Sequence, residues 1–216
     1  MRQIFVDLEM NALDERYTYE KNITPYEIIE IGAVMLGRRN KVEDTFKIYV
    51  KPQYNDKIGT WYTKITGITT EMVQDADPFE VAFQKFYEWC ESCGERYRIW
   101  AWSKNDYHQM LFEILLKRLE LSEGQKRMMT HWDDFQEWYM HLLREKRPVA
   151  LSRALGYAKL PFEGSEHDAL DDAFNTAMLY VHTRSENNRR QIVELYNRER
   201  EKKLREAERQ TNKPAE

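Results

Sequence analysis

Residues 2–10 read RQIFVDLEM, a short apolar run rich in β-forming residues that carries two carboxylates near its end. Because side chains alternate along a strand, Asp7 and Glu9 point to one face and share it with Phe5. The opposite face is apolar and consists of Ile4, Val6 and Leu8. Two neighbouring carboxylates on a buried strand need a proton or a cation, and a divalent metal satisfies both. The strand therefore predicts a metal site, with a charged strand end in solvent as the alternative.

The segments that follow predict the beginning of a sheet. Residues 11–25 are polar and show no apolar periodicity, which predicts an exposed loop. Residues 27–36 and 42–50 are again rich in β-formers, and the linker GRRNK between them suits a hairpin. Three consecutive antiparallel strands are therefore expected.

The rest of the chain alternates helical and strand patterns. After Asp77-Pro78 one helical stripe consists of Phe79, Phe83, Phe86 and Cys90. Residues 97–102, YRIWAW, predict a strand, and Asn105 can cap a helix with an apolar side of Met110, Leu111, Ile114, Leu115 and Leu119. Residues 128–160 predict a short apolar stretch and two helices, and one further helix has a narrow face of Ala169, Ala173 and Ala177. This order predicts an α/β fold, in which a mixed sheet is flanked by helices.

The composition changes at Ser185. With 42% hydrophobic and 13% aromatic residues in the whole chain, we expect one domain over residues 1–184. Residues 185–216 are mostly charged; Ile192, Leu195 and Tyr196 could dock a first helical part, and the remainder is typical of a solvated helix or tail. No basic leader and no run of about 18 apolar residues occurs, so we expect a cytoplasmic protein without a membrane segment.

A second acid follows the predicted strand 97–102 directly. The residues WSKND place Asp106 in the first turn of the next helix. Ends of strands are where the sites of α/β sheets collect, which favours a functional carboxylate. Taken alone, Asp106 fits equally well as a charge that complements the helix dipole.

Further acids and a histidine stand in residues 164–178, GSEHDALDDAFNTAM. A step of five residues turns a helix through roughly 140°, so His167 and Asp172 can cooperate only if His167 lies on the preceding loop. The glycine and serine at the start of this stretch allow such a loop. A regular helix would instead pair Asp168 with Asp172, and Asp171 is a further rival. The spacing leaves these alternatives open.

Other signals are weaker. The formal net charge of −4 is unusual for a phosphate binder, but an enzyme that collects carboxylates to hold cations lowers its own charge. Cys90 and Cys93 lack a second CxxC or a histidine pair, which makes a zinc site a poor interpretation. Residues 32–39, GAVMLGRR, lack the lysine and hydroxyl of a phosphate-binding loop.

Five blocks together resemble one family. FVDLEM, EIIEIGAV, TGIT, WSKND and HDALDDAFNTA follow one another in the order and spacing of the DEDDh exonucleases, named for four acids and a histidine. The resemblance covers about residues 2–182 and implies a ribonuclease H-like fold. It assigns the motif positions to Asp7, Glu9, Asp106, His167 and Asp172. PYEIIEIG and the block around Trp102 resemble the branch that trims small RNAs, although Ser103 stands where that branch often has glycine.

The resemblance implies a metal-dependent 3′→5′ exonuclease that releases 5′-mononucleotides. Two Mg²⁺ or Mn²⁺ ions would be held by Asp7, Glu9 and Asp172 and by Asp7 with Asp106, with His167 as the general base. It also implies that the terminal nucleotide is cradled by Met10, Asn11, Thr66, Gly67, Ile68 and Trp102. Asn11 stands where many relatives have threonine.

The expected partner is the 3′ end of a single-stranded nucleic acid, with RNA slightly preferred over DNA. The resemblance allows for a homodimer or an accessory protein partner. The rival functions are a catalytically silent nucleic-acid-binding module on the same fold, and a partner-binding protein whose surface is the charged segment 185–216.

Overall fold

A six-stranded mixed sheet forms the centre of the protein, which a computed structural model describes over residues 1–211, with side chains up to residue 207. The strands are β1 Arg2–Ala12, β2 Tyr26–Leu36, β3 Val42–Lys51, β4 Asp77–Pro78, β5 Tyr97–Ala101 and β6 Trp132–Asp134. Their order is β4-β3-β2-β1-β5-β6. The pairs β1–β2 and β2–β3 are antiparallel, whereas β3–β4, β1–β5 and β5–β6 are parallel. The predicted mixed sheet with three antiparallel strands first is confirmed.

Helices cover both faces of the sheet. They are α1 Thr60–Thr66, α2 Thr70–Val73, α3 Phe79–Glu91, α4 Lys104–Leu116, α5 Glu123–Met129, α6 Phe135–Leu143, α7 Leu151–Ala158, α8 Ala169–Thr183 and α9 Glu186–Thr211. Short 3-10 turns lie at Glu20–Asn22 and Arg38–Asn40. No helix in the described part of the chain is long and apolar enough to span a membrane.

The two faces of β1 are buried against different helices, as the alternation of its residues predicts. Ile4, Val6 and Leu8 join one core cluster together with the phenylalanines of α3. Phe5 lies on the other face in a cluster with Ala173 and Ala177 of α8. Small residues let α8 approach the sheet closely, and this brings its N-terminal end beside the acidic end of β1.

Gly32 of β2 shows how close this approach is. An added Cβ atom at Gly32 would lie 2.1 Å from the backbone carbon of Ala169, at the first residue of α8. Gly32 pairs with Asp7 across the β1–β2 ladder. A side chain at this position would therefore push the start of α8 away from the acids of β1.

Several local predictions were wrong. The strand β1 continues to Ala12, so Asn11 is a buried strand residue and not part of an exposed loop. The cap of α4 is Ser103, whose hydroxyl accepts a hydrogen bond from the Asn105 backbone N–H, and not Asn105 itself. Of the predicted apolar side of α4, Met110, Leu111, Ile114 and Leu119 pack in or against the core, but Leu115 is 60% exposed, and the buried side of the helix also carries Gln109 and Glu113.

Candidate active site

Asp7 and Glu9 lie in the part of β1 that extends past its pairing with β5 and stays paired with β2. Glu9 is buried and pairs with Glu30 across the β1–β2 ladder, while Asp7 pairs with Gly32. The register of this ladder shifts between Glu9 and Met10, as at a β-bulge. Bulges re-aim side chains next to functional sites, and here the shift directly follows the two carboxylates.

Asp106 joins them because β5 runs parallel to β1. The carboxyl ends of parallel neighbours meet at one edge of the sheet, and α4 begins directly after β5. Asp106 is 7% exposed, and the nearby Leu8 backbone of β1 lowers the pKa of its carboxyl group against the larger, opposite effect of burial. The helix-dipole interpretation of Asp106 alone does not account for this burial against β1.

His167 lies on the loop before α8, with its imidazole exposed. Its backbone adopts a φ of +66°, a left-handed conformation that histidine and asparagine tolerate better than most residues. The His167 N–H donates to Asp172 Oδ2 over 2.8 Å. The loop thus places His167 beside Asp172, whereas on a regular helix the two residues would point to different faces.

The rival acids Asp168 and Asp171 have structural partners instead. Asp168 caps α8 by accepting the N–H groups of Leu170 and Asp171. Asp171 Oδ2 accepts the N–H of Ser165 and so holds the turn before His167. Neither rival lines the cleft that contains the other acids.

Glu30 and Lys47 support this loop from the sheet, a role that no sequence pattern had predicted. Glu30 is 1% exposed, and its Oε2 accepts the N–H of Ala169 over 3.0 Å. Lys47 Nζ lies 3.1 Å from Glu30 Oε1 and also contacts the carboxylate of Asp168. The signal in the sequence was a glutamate inside the otherwise apolar run EIIEIGAV, at the register position opposite Glu9.

The pKa values of the four acids in the cleft are all raised, which shifts them toward their protonated forms. Burial raises the pKa of Asp7 well above its ordinary value, and neighbouring carboxylates, Asp106 first, raise it further. Burial also raises the pKa of Glu9 to about 9, that of Asp106 to about 7 and that of Asp172 to about 6. As far as the described chain shows, no lysine or arginine lines this cleft. The acids therefore need an external cation to be fully ionised at neutral pH.

This arrangement matches a known family. The model of the exonuclease family RNase_T matches residues 4–180, from β1 to α8. The chain belongs to this exonuclease family. Its predicted resemblance to the DEDDh exonucleases is confirmed by the solved nuclease domain of 3′hExo, a DEDDh family member, bound to rAMP. That domain is 25% identical, with a TM-score of 0.71 over 83% of this chain and 90% of the other.

Curated relatives in the RNase_T family are longer proteins. The chain is 32% identical over 180 residues to "ERI1 exoribonuclease 2" of Danio rerio, a match that covers 74% of this chain and 32% of the relative. It is 27% identical over 192 residues to "3'-5' exoribonuclease 1" of Rattus norvegicus, a match that covers 80% of this chain and 55% of the relative. The chain thus spans between a third and about half of these relatives.

The residues of this exonuclease site fit divalent cations. Ligand atoms of Glu9, His167 and Asp172 all lie within 4.8 Å of one another. Asp7 and Asp106 line the same cleft outside this closest group. Carboxylate oxygens are the donors that Mg²⁺ and Mn²⁺ prefer, and a bound cation would relieve the repulsion between these carboxylates.

Only part of the predicted nucleotide cradle lines the cleft, whose volume is about 410 Å³. Met10 and Trp102 line it. Asn11 instead accepts the Gly59 N–H, so it ties β1 to the start of α1. The TGI segment likewise has a structural role: α1 ends at Thr66, Gly67 caps it, and Ile68 is buried in the core.

Aromatic residues of α1 and β2 line the cleft, whereas the TGI segment does not. Trp61 is 63% exposed and lines the cleft together with Tyr62 and Tyr26. The Trp61 and Tyr62 rings meet edge to face at 5.0 Å. Any tryptophan or tyrosine of the chain could stack on a base, and only the fold separates these rings from the aromatics of the core.

Proposed function

We propose that the protein is a metal-dependent 3′→5′ exonuclease that acts on single-stranded nucleic acid, with RNA preferred over DNA. The observation that carries this proposal is that Asp7, Glu9, Asp106, His167 and Asp172 line one cleft. They come from three separate segments of the chain, so their convergence is a property of the fold. Relatives named as exoribonucleases support the preference for RNA.

The four carboxylates would hold two divalent cations, Mg²⁺ or Mn²⁺. When bound, such cations neutralise charge on the scissile phosphate and make water a stronger nucleophile at neutral pH. The carboxylates of Asp106, Asp172 and Glu9 all raise the pKa of Asp7, so Asp7 lies near the other three and is suited to serve both cations. Asp172 joins from α8, where the His167 N–H fixes one of its oxygens.

His167 would be the general base. Its ring is exposed at the mouth of the cleft, so a ring nitrogen can accept a proton from the attacking water. The leaving group is the 3′ oxygen of the next nucleotide, which gives a 5′-mononucleotide and a chain shortened by one. The exposed face of Trp61 offers a stacking surface for the terminal base.

The experiment compares wild type with Asp7→Asn on 5′-labelled single-stranded RNA and DNA, with Mg²⁺, Mn²⁺ or EDTA. We expect a ladder that shortens from the 3′ end, is absent in EDTA and in Asp7→Asn, and forms faster on RNA. The matched control is Asp75→Asn, since Asp75 is exposed and outside the cleft. Binding of RNA without cleavage in either metal would favour a catalytically silent module.

Two sequence-based expectations remain proposals. We propose a cytoplasmic location, which a fluorescent fusion of the chain in cells would test. We also propose that a homodimer or an accessory protein assists binding, and light scattering of the purified chain with and without RNA would test it.

A further inference from the structure

A second open groove lies next to the active-site cleft. It has a volume of about 380 Å³ and is formed by the loop after α6, by α7 and by α9. Val149 and Arg153 line this groove, while Leu151 between them lines the cleft. Trp102 lines the cleft and donates its indole N–H to the carbonyl oxygen of Val149 over 3.1 Å, so the groove and the cleft lie on either side of this contact.

Four exposed cations surround the groove. Arg147 comes from the loop, Arg153 from α7, and Arg200 and Lys203 from α9. Arg200 and Lys203 are three positions apart and so lie on the same face of their helix. Three segments of the chain thus turn basic side chains toward one groove, in a protein with a formal net charge of −4.

These cations lack the acidic partners that other basic residues of α9 have. Elsewhere on α9, basic side chains pair with glutamates one turn away: Arg190–Glu186, Arg198–Glu194 and Arg205–Glu201. Within the described residues, none of the four groove cations has a carboxylate oxygen at ion-pair distance. They are therefore available to an external anion.

Two acids also line the groove, and both have partners inside the protein. Glu145 accepts the hydroxyl of Tyr196 and the N–H groups of Lys146 and Arg147. Glu199 interacts with the hydroxyl of Tyr157. The acids therefore serve the packing of α9, and the groove keeps an excess of two positive charges.

We propose that this groove, defined by Arg147, Arg153, Arg200 and Lys203, binds backbone phosphates of the substrate strand upstream of the 3′ end in the cleft. The inference rests on the proposed exonuclease function, because the neighbouring cleft fixes where the strand ends. A chain of phosphates is the polyanion that spaced cations along a groove match. Contacts of this kind position the strand and carry no sequence information.

The test uses Arg153→Gln combined with Arg200→Gln on single-stranded RNA of two lengths, about 4 and about 20 nucleotides. The short RNA ends inside the cleft, so we expect its cleavage to match wild type. The long RNA reaches the groove, so we expect its KM and Kd to rise on the order of tenfold, equivalent to about 1.4 kcal/mol. The slope of log affinity against log salt should fall by about 0.7 for each phosphate that the variant no longer binds.

The matched control is Lys41→Gln combined with Arg127→Gln, which removes the same charge from exposed positions outside both openings. Wild-type behaviour of the groove variant on long RNA would overturn the proposal and point to an acidic protein segment as the occupant. An equal loss on both lengths would also overturn it. Binding is measured in EDTA as well, so a groove that binds RNA is recognised even if the chain cleaves nothing.

Discussion

The carboxylates of the cleft repel one another as long as no cation neutralises their charge. Asp7 and Glu9 are affected alike, since burial and neighbouring acids raise the pKa of both. An acid whose folded-state pKa is raised destabilises the folded protein at any pH above the pKa that it has in the unfolded chain. The acidic residues that would bind a cation therefore lower the stability of the metal-free protein.

The variant Asp7→Asn should make the metal-free protein more stable. In EDTA at pH 8 we expect its free energy of unfolding to exceed that of wild type by roughly 0.5 to 2 kcal/mol, because the variant removes a carboxyl group that ionises in the unfolded chain but is disfavoured from ionising in the folded protein. Adding Mg²⁺ should raise the thermal midpoint of wild type and leave the variant nearly unchanged. Thermal unfolding with and without Mg²⁺ checks this, and a variant less stable than wild type in EDTA would contradict it.

His167 should matter for turnover and not for folding. We expect His167→Asn to lower kcat by about 10²- to 10⁴-fold, the range for loss of a general base. Asparagine tolerates the left-handed backbone of this position, and the N–H that holds Asp172 is kept. The control is His108→Asn, an exposed residue of α4 outside the cleft. Single-turnover kinetics would speak against this role if His167→Asn cleaved at the wild-type rate.

At the scale of elements, α4 is fixed to the sheet by charges as well as by apolar packing. Lys117 Nζ lies 2.6 Å from Glu113 Oε1 and 3.1 Å from Glu27 Oε1, with all three side chains nearly inaccessible. Glu27 also accepts N–H groups of the loop after β3, including those of Gln53 and Tyr54. One ammonium thus faces two carboxylates, and this network holds the helix that carries Asp106.

Glu113 should make stability depend on pH. Burial raises its pKa from 4.5 to about 7, so the folded protein keeps a proton that the unfolded chain has lost. Stability from this group is thus present below about pH 4.5 and falls as the pH rises to about 7, by roughly 3 kcal/mol. Denaturant unfolding in Mg²⁺ between pH 5 and 8 should show a shallower decline for Glu113→Gln, with exposed Glu80→Gln as the control. Parallel curves for all three proteins would contradict the assignment.

At the scale of the whole molecule, α9 is joined to the domain through its first turns. Ile192 is fully buried and Tyr196 is 6% exposed, both in a core cluster with α6 and α7. The Tyr157 and Tyr196 rings meet edge to face at 5.5 Å. The segment after Ser185 therefore begins as part of the core, and removing all of it would expose apolar surface.

The variant Ile192→Ala should destabilise the whole domain. We expect a loss of about 2 to 5 kcal/mol, the usual effect of truncating a fully buried aliphatic side chain, within one cooperative transition. Leu204→Ala on the same helix is the control, since Leu204 is 56% exposed and its loss should change stability by less than about 0.5 kcal/mol. Chemical denaturation followed by tryptophan fluorescence measures both. An unchanged midpoint for Ile192→Ala would show that α9 folds apart from the domain.

The sequence by itself predicted four of the six strands, β1, β2, β3 and β5, and the antiparallel beginning of the sheet, and its resemblance to the DEDDh exonucleases assigned the acids. The alternation around Asp7 and Glu9 and the alanine spacing of α8 are local patterns, and burial on one face of an element produces them directly. The pairing of Glu9 with Glu30, in contrast, cannot be predicted from either strand alone. Glu30 could be recognised as a support of the His167 loop only after β2 had been paired with β1.

The tertiary structure decided how the acids that the family resemblance had assigned come together, and which aromatic residues face the cleft. The choice of Asp172 over Asp168 and Asp171 depends on a left-handed turn at His167, because a helical period would have favoured a different pair. The exposure of Trp61 and the basic groove beside α9 likewise require segments far apart in sequence to meet. Periodicity reports what one element buries, whereas a site forms where several elements end together, and only their packing fixes that place.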